Sequence, residues 1–189
     1  MTAHQSREYR NNVVSELSRA FPRADPRLFS AILKNPRESL FPEIPVESLY
    51  GEERAGGFDG RPAPSVFEVS KILVESGIQK GDQVLLVAPT DPYFLLILSE
   101  LTLRISIFEE NPSIAEELSV AVCDLGLPHI KIARDYSMFE AISRGKKIIH
   151  VDFSGKDTSL LEFYRRIPEA MLFCYVFENE TTMERTTCF

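Results

Sequence analysis

The chain has 189 residues, of which 44% are hydrophobic and 26% are charged, the balance of a soluble globular protein with a substantial core. The formal net charge of −7 argues against general binding to nucleic acid or anionic membranes, since both need surplus lysine and arginine. Three scattered cysteines argue against a disulfide framework, and no apolar run is long enough for a membrane span. We expect one cytoplasmic α/β domain, in which residues 1–64 pack on a core of residues 65–189.

Two helical patterns precede a segment rich in proline and glycine. Apolar residues recur at helical spacing from Tyr9 to Ala20. Asp25-Pro26 then offers an N-cap and a first helical residue for a helix that runs to about Leu33. Proline and glycine concentrate between residues 36 and 64. We expect ordered loop with short turns there, because the aromatic residues of this segment need burial.

From residue 65 onward, helical patterns alternate with apolar strands. The predicted strands are QVLLVA (83–88), RISIF (104–108), HIKIA (129–133), KIIHVDF (147–153) and AMLFCYVF (170–177). The predicted helices span about 66–76, 92–103, 111–126, 138–143 and 160–166. This alternation specifies right-handed βαβ crossovers and therefore a doubly wound, mainly parallel sheet. Ligands of such sheets bind beyond the carboxyl ends of the strands.

Several short motifs occur in a fixed order along the chain. Pro36-Arg37-Glu38 comes first, Phe41-Pro42 and Tyr50 follow, Gly81-Asp82 precedes the first of these strands, and the second strand ends in Glu109 before Pro112 and Ala115. From about residue 25 to residue 153 the chain thereby resembles the protein-L-isoaspartate O-methyltransferases. The resemblance implies a Rossmann-like methyltransferase fold, S-adenosylmethionine as cofactor, and isoaspartyl carboxylates of damaged proteins as substrate.

The loop that holds the cofactor in that family is altered here. The family pattern Glu-x-Gly-x-Gly-x-Gly corresponds to Leu86, Ala88, Thr90 and Pro92. Leu86 cannot accept hydrogen bonds, Ala88 and Thr90 add Cβ atoms, and Pro92 lacks an N–H donor. Asp91 adds a carboxylate close to where the methionine carboxylate of the cofactor would lie, and it also suits the N-cap of the next helix. These replacements predict loss of S-adenosylmethionine binding, so that no cofactor is expected.

The substrate segment is altered too, whereas two acids of the family's cofactor site remain. The family's Thr and Ser hydroxyls, which orient the substrate carboxylate, correspond to Gly60 and Pro62. Ser65 either supplies a hydroxyl or caps the following helix. Glu109 matches the acid that holds the ribose hydroxyls, or it favours the N-terminal end of the next helix. Asp135 matches the aspartate near the adenine, or it is a surface residue of a turn.

The last residues, ENETTMERTTCF, are polar and lack strand periodicity. The shortened sheet is therefore expected to end with the strand from Ala170 to Phe177. An exposed apolar edge there would suit a protein partner or a second copy of the chain. The three histidines show no spacing typical of metal ligands.

Three functions follow from these patterns, and none of them requires a catalytic base. The one we favour is a binding or regulatory module that has lost the cofactor and the catalytic activity. The second is a divergent but active isoaspartyl methyltransferase that uses S-adenosylmethionine. The third is a domain that binds another nucleoside-like ligand through Glu109 and Asp135.

Overall fold

The computed structural model describes residues 3–51, 55–143, 145–152, 171–179 and 182–186. The chain forms two compact units. We call Met1–Ile78 with Asp91–Leu101 the helical unit, and Gln79–Thr90 with Thr102–Phe189 the sheet unit. The boundary expected after residue 64 stays a prediction, because compact units do not show which part of the chain folds on its own.

The described residues of the helical unit form five helices, two short 3₁₀ turns (Arg37–Ser39 and Phe58–Gly60) and a small ribbon. The helices are α1 (Ala3–Ala20), α2 (Pro26–Lys34), α3 (Val46–Tyr50), α4 (Val66–Glu75) and α5 (Pro92–Leu101). The ribbon pairs β1 (Ala55–Gly56) antiparallel with β2 (Pro62–Ala63). Within this unit α2 contacts both α1 and α5, and α1 also contacts α3.

The sheet unit carries a six-stranded sheet and two described helices, α6 (Pro112–Asp124) and α7 (Tyr136–Ser143). Its strands are β3 (Gln83–Val87), β4 (Arg104–Phe108), β5 (Lys131–Ala133), β6 (Lys147–Asp152), β7 (Met171–Asn179) and β8 (Thr182–Thr186). They lie in the order β5-β4-β3-β6-β7-β8. All neighbours are parallel except β7 and β8, so the predicted doubly wound, mainly parallel α/β sheet is confirmed.

Side-chain caps start the helices where the sequence predicts them. Asp25 accepts a hydrogen bond from the backbone N–H of Arg27 at the start of α2. Asn111 accepts from Ser113 and Ile114 at the start of α6. These caps satisfy amides that have no partner inside the helix. The helix predicted at residues 160–166 lies outside the described residues.

The C-terminal part of the sheet differs from the prediction. β8 pairs antiparallel with β7, from Cys174 opposite Thr186 to Asn179 opposite Thr182. The other side of β7 pairs with β6. The expectation that the segment from Ala170 to Phe177 ends a shortened sheet and leaves a free apolar edge is therefore wrong. An antiparallel neighbour is held by backbone hydrogen bonds, so a polar segment without apolar alternation can still form it.

Among the described residues, no helix combines the length and apolar character that crossing a membrane requires.

Candidate functional site

In the sheet unit, the carboxyl ends of three neighbouring parallel strands meet at one edge, where doubly wound sheets bind their ligands. β3 leads into Ala88, β4 into Glu109, and β5 ends just before Asp135. The N–H of Ala88 donates to the carbonyl of Phe108 at 2.9 Å, and that of Glu109 donates to the carbonyl of Ala133 at 3.0 Å. These bonds continue the ladder past the strand ends and place Ala88 and Glu109 at this edge.

Leu86 and Ala88 are the residues that the sequence predicts to correspond to an acid and a glycine of the resembled family. Leu86 is fully buried in β3 and lies between Ile107 of β4 and Ile149 of β6. Ala88 has a φ of +48°, and among the described residues it is the one non-glycine residue with a positive φ. This left-handed conformation costs an L-residue about 1–2 kcal/mol. The backbone here keeps a conformation that glycine adopts freely, although glycine is absent.

Thr90 is the last residue of this loop that belongs to the sheet unit. It is buried, and its Oγ1 has no hydrogen-bond partner within the described part of the chain. A buried hydroxyl without a partner costs about 1–3 kcal/mol. Water or a polar ligand group that reached Thr90 would remove this cost.

Asp91 and Pro92 begin α5 in the helical unit. The Asp91 side chain is fully buried, and its Oδ1 accepts from the backbone N–H of Tyr93 at 2.8 Å and of Phe94 at 3.1 Å. Pro92 has no N–H to donate. The first amides of this helix therefore bind a carboxylate of the chain itself, which confirms the predicted N-cap.

Glu109 is only 1% exposed at the end of β4. Its Oε1 accepts from the backbone N–H of Asn111 at 2.9 Å, and Asn111 in turn caps α6. The carboxylate therefore helps to shape the turn before α6, and its electrostatic effect on the N-terminal end of that helix stays a prediction. Its role toward ribose hydroxyls stays a prediction.

Asp135 is exposed and precedes α7. Its Oδ1 accepts from the hydroxyl of Ser137 at 2.6 Å and from the backbone N–H of Met138 at 2.8 Å. The bond from Ser137, followed by the one from Met138, holds the pKa of this carboxyl below its ordinary value. Asp135 thus stabilises the first turn of α7, and its role near an adenine stays a prediction.

The segment that the resemblance assigns to the substrate lies in the helical unit. Gly60 is exposed with a φ of +73°, and Pro62 belongs to β2. Ser65 is buried, accepts from the N–H of Glu68 at 3.2 Å, and donates its own N–H to the Glu68 carboxylate at 2.7 Å. This reciprocal pair is a capping box. Of the two alternatives for Ser65, the helix cap is the one observed.

A buried polar cluster in the helical unit was not anticipated as a unit from the sequence. Arg37 is fully buried, donates to the carbonyl of Pro64 at 2.7 Å, and lies with its guanidinium carbon 5.2 Å from the ring centre of Tyr93. The Tyr50 hydroxyl accepts from the N–H of Arg37 at 2.9 Å and donates to Glu38 at 2.8 Å. Burial raises the pKa of Tyr50 and of Tyr93. Arg37 and Glu38 of the Pro-Arg-Glu motif belong to this cluster. Its hydrogen bonds join segments of the helical unit to one another.

The described residues contain no group of three or more His, Cys, Asp or Glu side chains arranged to hold a metal ion.

Comparisons with known proteins found similar solved structures. No family model and no curated protein matches the chain. A solved protein-L-isoaspartate O-methyltransferase is similar, with a TM-score of 0.66, 16% sequence identity, and coverage of 88% of this chain and 55% of that one. The 23S rRNA methyltransferase ErmE gives a TM-score of 0.49 and 14% identity over 57% of this chain and 44% of its own. A coclaurine N-methyltransferase bound to N-methylheliamine and SAH gives 0.46 and 14% over 88% and 58%.

The chain thus has a Rossmann-like methyltransferase fold, as the sequence predicts. It spans about half the length of the isoaspartate methyltransferase that it matches. A sequence identity of 16% supports a shared fold but does not show a shared activity, because one fold hosts many functions.

Proposed function

We propose that this chain is a methyltransferase-fold protein that has lost S-adenosylmethionine binding and methyl transfer and serves as a binding or regulatory module. One observation carries the proposal. The three acids that the sequence assigns to the cofactor site or its loop all accept hydrogen bonds from the backbone of their own turns. They are Asp91, Glu109 and Asp135.

The residues of the loop do not fit the cofactor of the resembled family. The N-terminus of a helix attracts anionic groups through its free amides. In α5 the amides of Tyr93 and Phe94 already bind the Asp91 carboxylate, and Pro92 offers none. A second carboxylate about 4 Å from Asp91 would be repelled by roughly 1 kcal/mol in water, and by more where water is excluded.

The ribose of such a cofactor would need a carboxylate with both oxygens accessible, because a vicinal diol donates two hydrogen bonds. Glu109 is almost completely buried, and one of its oxygens accepts from Asn111. Binding a diol would require the groups that bury this carboxylate to move. Methyl transfer to a carboxylate depends chiefly on proximity and in-line geometry, and a loop that does not hold the donor cannot provide them.

Thr90 supports a binding role for the same edge of the sheet unit. Its buried Oγ1 lacks a partner among the described residues. A ligand with a polar group that reaches this hydroxyl would satisfy it.

The alternative is a divergent but active protein-L-isoaspartate O-methyltransferase. It is favoured by the positive φ of Ala88, which keeps the turn in a glycine-like conformation, and by the position of Glu109 at the end of β4. In this alternative the Glu109 carboxylate leaves the N–H of Asn111 and accepts the ribose hydroxyls.

Calorimetric titration of the full chain with S-adenosylmethionine and with S-adenosylhomocysteine tests the proposal. We expect dissociation constants above about 1 mM, and no methylation of an isoaspartyl peptide. Micromolar binding that Glu109→Gln weakens would refute the proposal and support the active enzyme. Adenosine is the third probe, and Glu110→Gln is the matched control for the change of charge. Micromolar adenosine binding without binding of the methyl donor would support the nucleoside-like ligand.

A further inference from the structure

The amino-terminal edge of the sheet in the sheet unit is rich in basic residues. The strands of a parallel sheet all begin at one edge, and the loops that precede them lie there too. The basic residues at this edge are Lys80, Arg104, Lys131, Lys146 and Lys147. Asp82 lies among them and forms an ion pair with Lys147 at 2.7 Å. This concentration of positive charge is local, because the whole chain carries a net charge of −7.

Near this edge the side chains of Lys146 and Ser106 meet, and the exposed Lys131 projects on the same face of the sheet. Lys146 Nζ donates a hydrogen bond to Ser106 Oγ at 3.0 Å. Ser106 of β4 is only 8% exposed, and its register partner on β5 is Lys131. Register partners on adjacent strands point to the same face of a sheet, so the side chain of Lys131 projects on the face that Lys146 reaches. Burial, and then the charge of Lys131, lower the pKa of the Lys146 ammonium.

Neither ammonium has an acidic partner within 4 Å among the described residues, whereas Lys147 is paired with Asp82. Two like charges that approach one another where water is partly excluded destabilise the folded state. An anion between them would turn this repulsion into attraction. Lys146, half-buried beside a second cation, is therefore placed as a ligand and not only as a solubilising surface residue.

We propose that Lys131, Lys146 and Ser106 form a binding site for an oxyanion, such as a phosphate group. Each ammonium donates charge-assisted hydrogen bonds to the anion. The Ser106 hydroxyl accepts from Lys146 and keeps its own hydrogen to donate as a third contact. Ser106 stands three residues before Glu109 in the middle of β4, and none of the three residues of the site belongs to the carboxyl edge, so the site does not depend on the function proposed for that edge.

Titration of the full chain with inorganic phosphate, followed by NMR of backbone amides and lysine side chains, tests this site. Saturable shifts centred on Ser106, Lys131 and Lys146 are expected. Because a charge-assisted hydrogen bond contributes about 1.5–3 kcal/mol, Lys131→Gln and Lys146→Gln should each weaken binding roughly tenfold or more. Lys80→Gln is the matched control, since it removes the same charge from the same edge and should change the affinity less than about twofold.

Ser106→Ala keeps both charges and should weaken binding about threefold to tenfold through the lost hydroxyl contact. Phosphoserine is the second probe. Tighter binding of phosphoserine than of inorganic phosphate would support the site and indicate a phosphomonoester as ligand, whereas equal binding would support a site for the ion itself. Shifts that do not saturate, or equal weakening by Lys80→Gln and Lys146→Gln, would overturn the proposal, because general charge attraction would then explain the binding.

Discussion

Replacing Asp91 by alanine tests whether its carboxylate holds the start of α5. Its Oδ1 accepts two backbone N–H groups, from Tyr93 at 2.8 Å and from Phe94 at 3.1 Å, and the side chain is fully buried. In Asp91→Ala both amides lose this acceptor while the surrounding structure still excludes water. Loss of an N-cap costs about 1 kcal/mol and each buried unpaired amide about 1–3 kcal/mol, so the free energy of unfolding should fall by about 2–4 kcal/mol.

Asp91→Asn is the matched control for this change. It keeps an oxygen acceptor for the two amides and removes a buried charge, whose burial is itself unfavourable. Its free energy of unfolding should lie within about 1 kcal/mol of the wild-type value. Urea denaturation followed by circular dichroism gives both midpoints, and an unchanged m-value shows that only stability has moved. Equal midpoints for Asp91→Ala and Asp91→Asn would refute the assignment of this carboxylate as the cap.

Two further predictions concern a backbone conformation and a titration. Ala88→Gly should raise the free energy of unfolding by about 0.5–1 kcal/mol, because relief of the left-handed strain exceeds the entropy of glycine. Ala115→Gly in α6 should lower it by about 1 kcal/mol, and a loss in both variants would contradict the strain at Ala88. The side-chain hydrogen bond from Arg27, outweighing the opposing effect of burial, holds the pKa of Asp25 below its ordinary value. This stabilisation is present above the unfolded-state pKa of about 4 and is lost as pH falls through the folded value. Asp25→Asn should therefore flatten the fall in stability below about pH 4, and an unchanged slope in acid denaturation would count against this.

The strands that could be predicted from the sequence are those whose own apolar residues indicate a buried strand. β3 reads QVLLV, and four of its five residues are buried. A short, continuous apolar run of this kind suits a strand that is covered on both faces. The starts of α2, α5 and α6 were predictable for a similar reason, because each has a capping side chain directly before a proline.

The features that were missed depend on distant partners. α3 has five residues and no helical period to detect, yet Tyr50 at its end holds the backbone N–H of Arg37. β8 was missed because its polar residues show no alternation, and its pairing depends on the backbone of β7. Contacts between segments far apart in sequence can override local propensity, so neither element could be inferred from its own residues.

At the candidate site, the side chains of the loop after β3 could be read from the sequence, but the conformation of its backbone could not. Ala88 has a φ of +48°, its N–H donates to the carbonyl of Phe108, and the turn after β3 begins from that bond. Asp91 then starts α5 with its own carboxylate. Glycine at such positions allows close approach of a ligand, whereas the turn itself is fixed here by the sheet and the cap. A chain can therefore carry alanine at such a position, at a cost of about 1–2 kcal/mol at Ala88, and keep the fold. For this reason the methyltransferase fold does not by itself imply methyl transfer. The affinity for S-adenosylhomocysteine is the measurement that tests whether this fold still binds the cofactor.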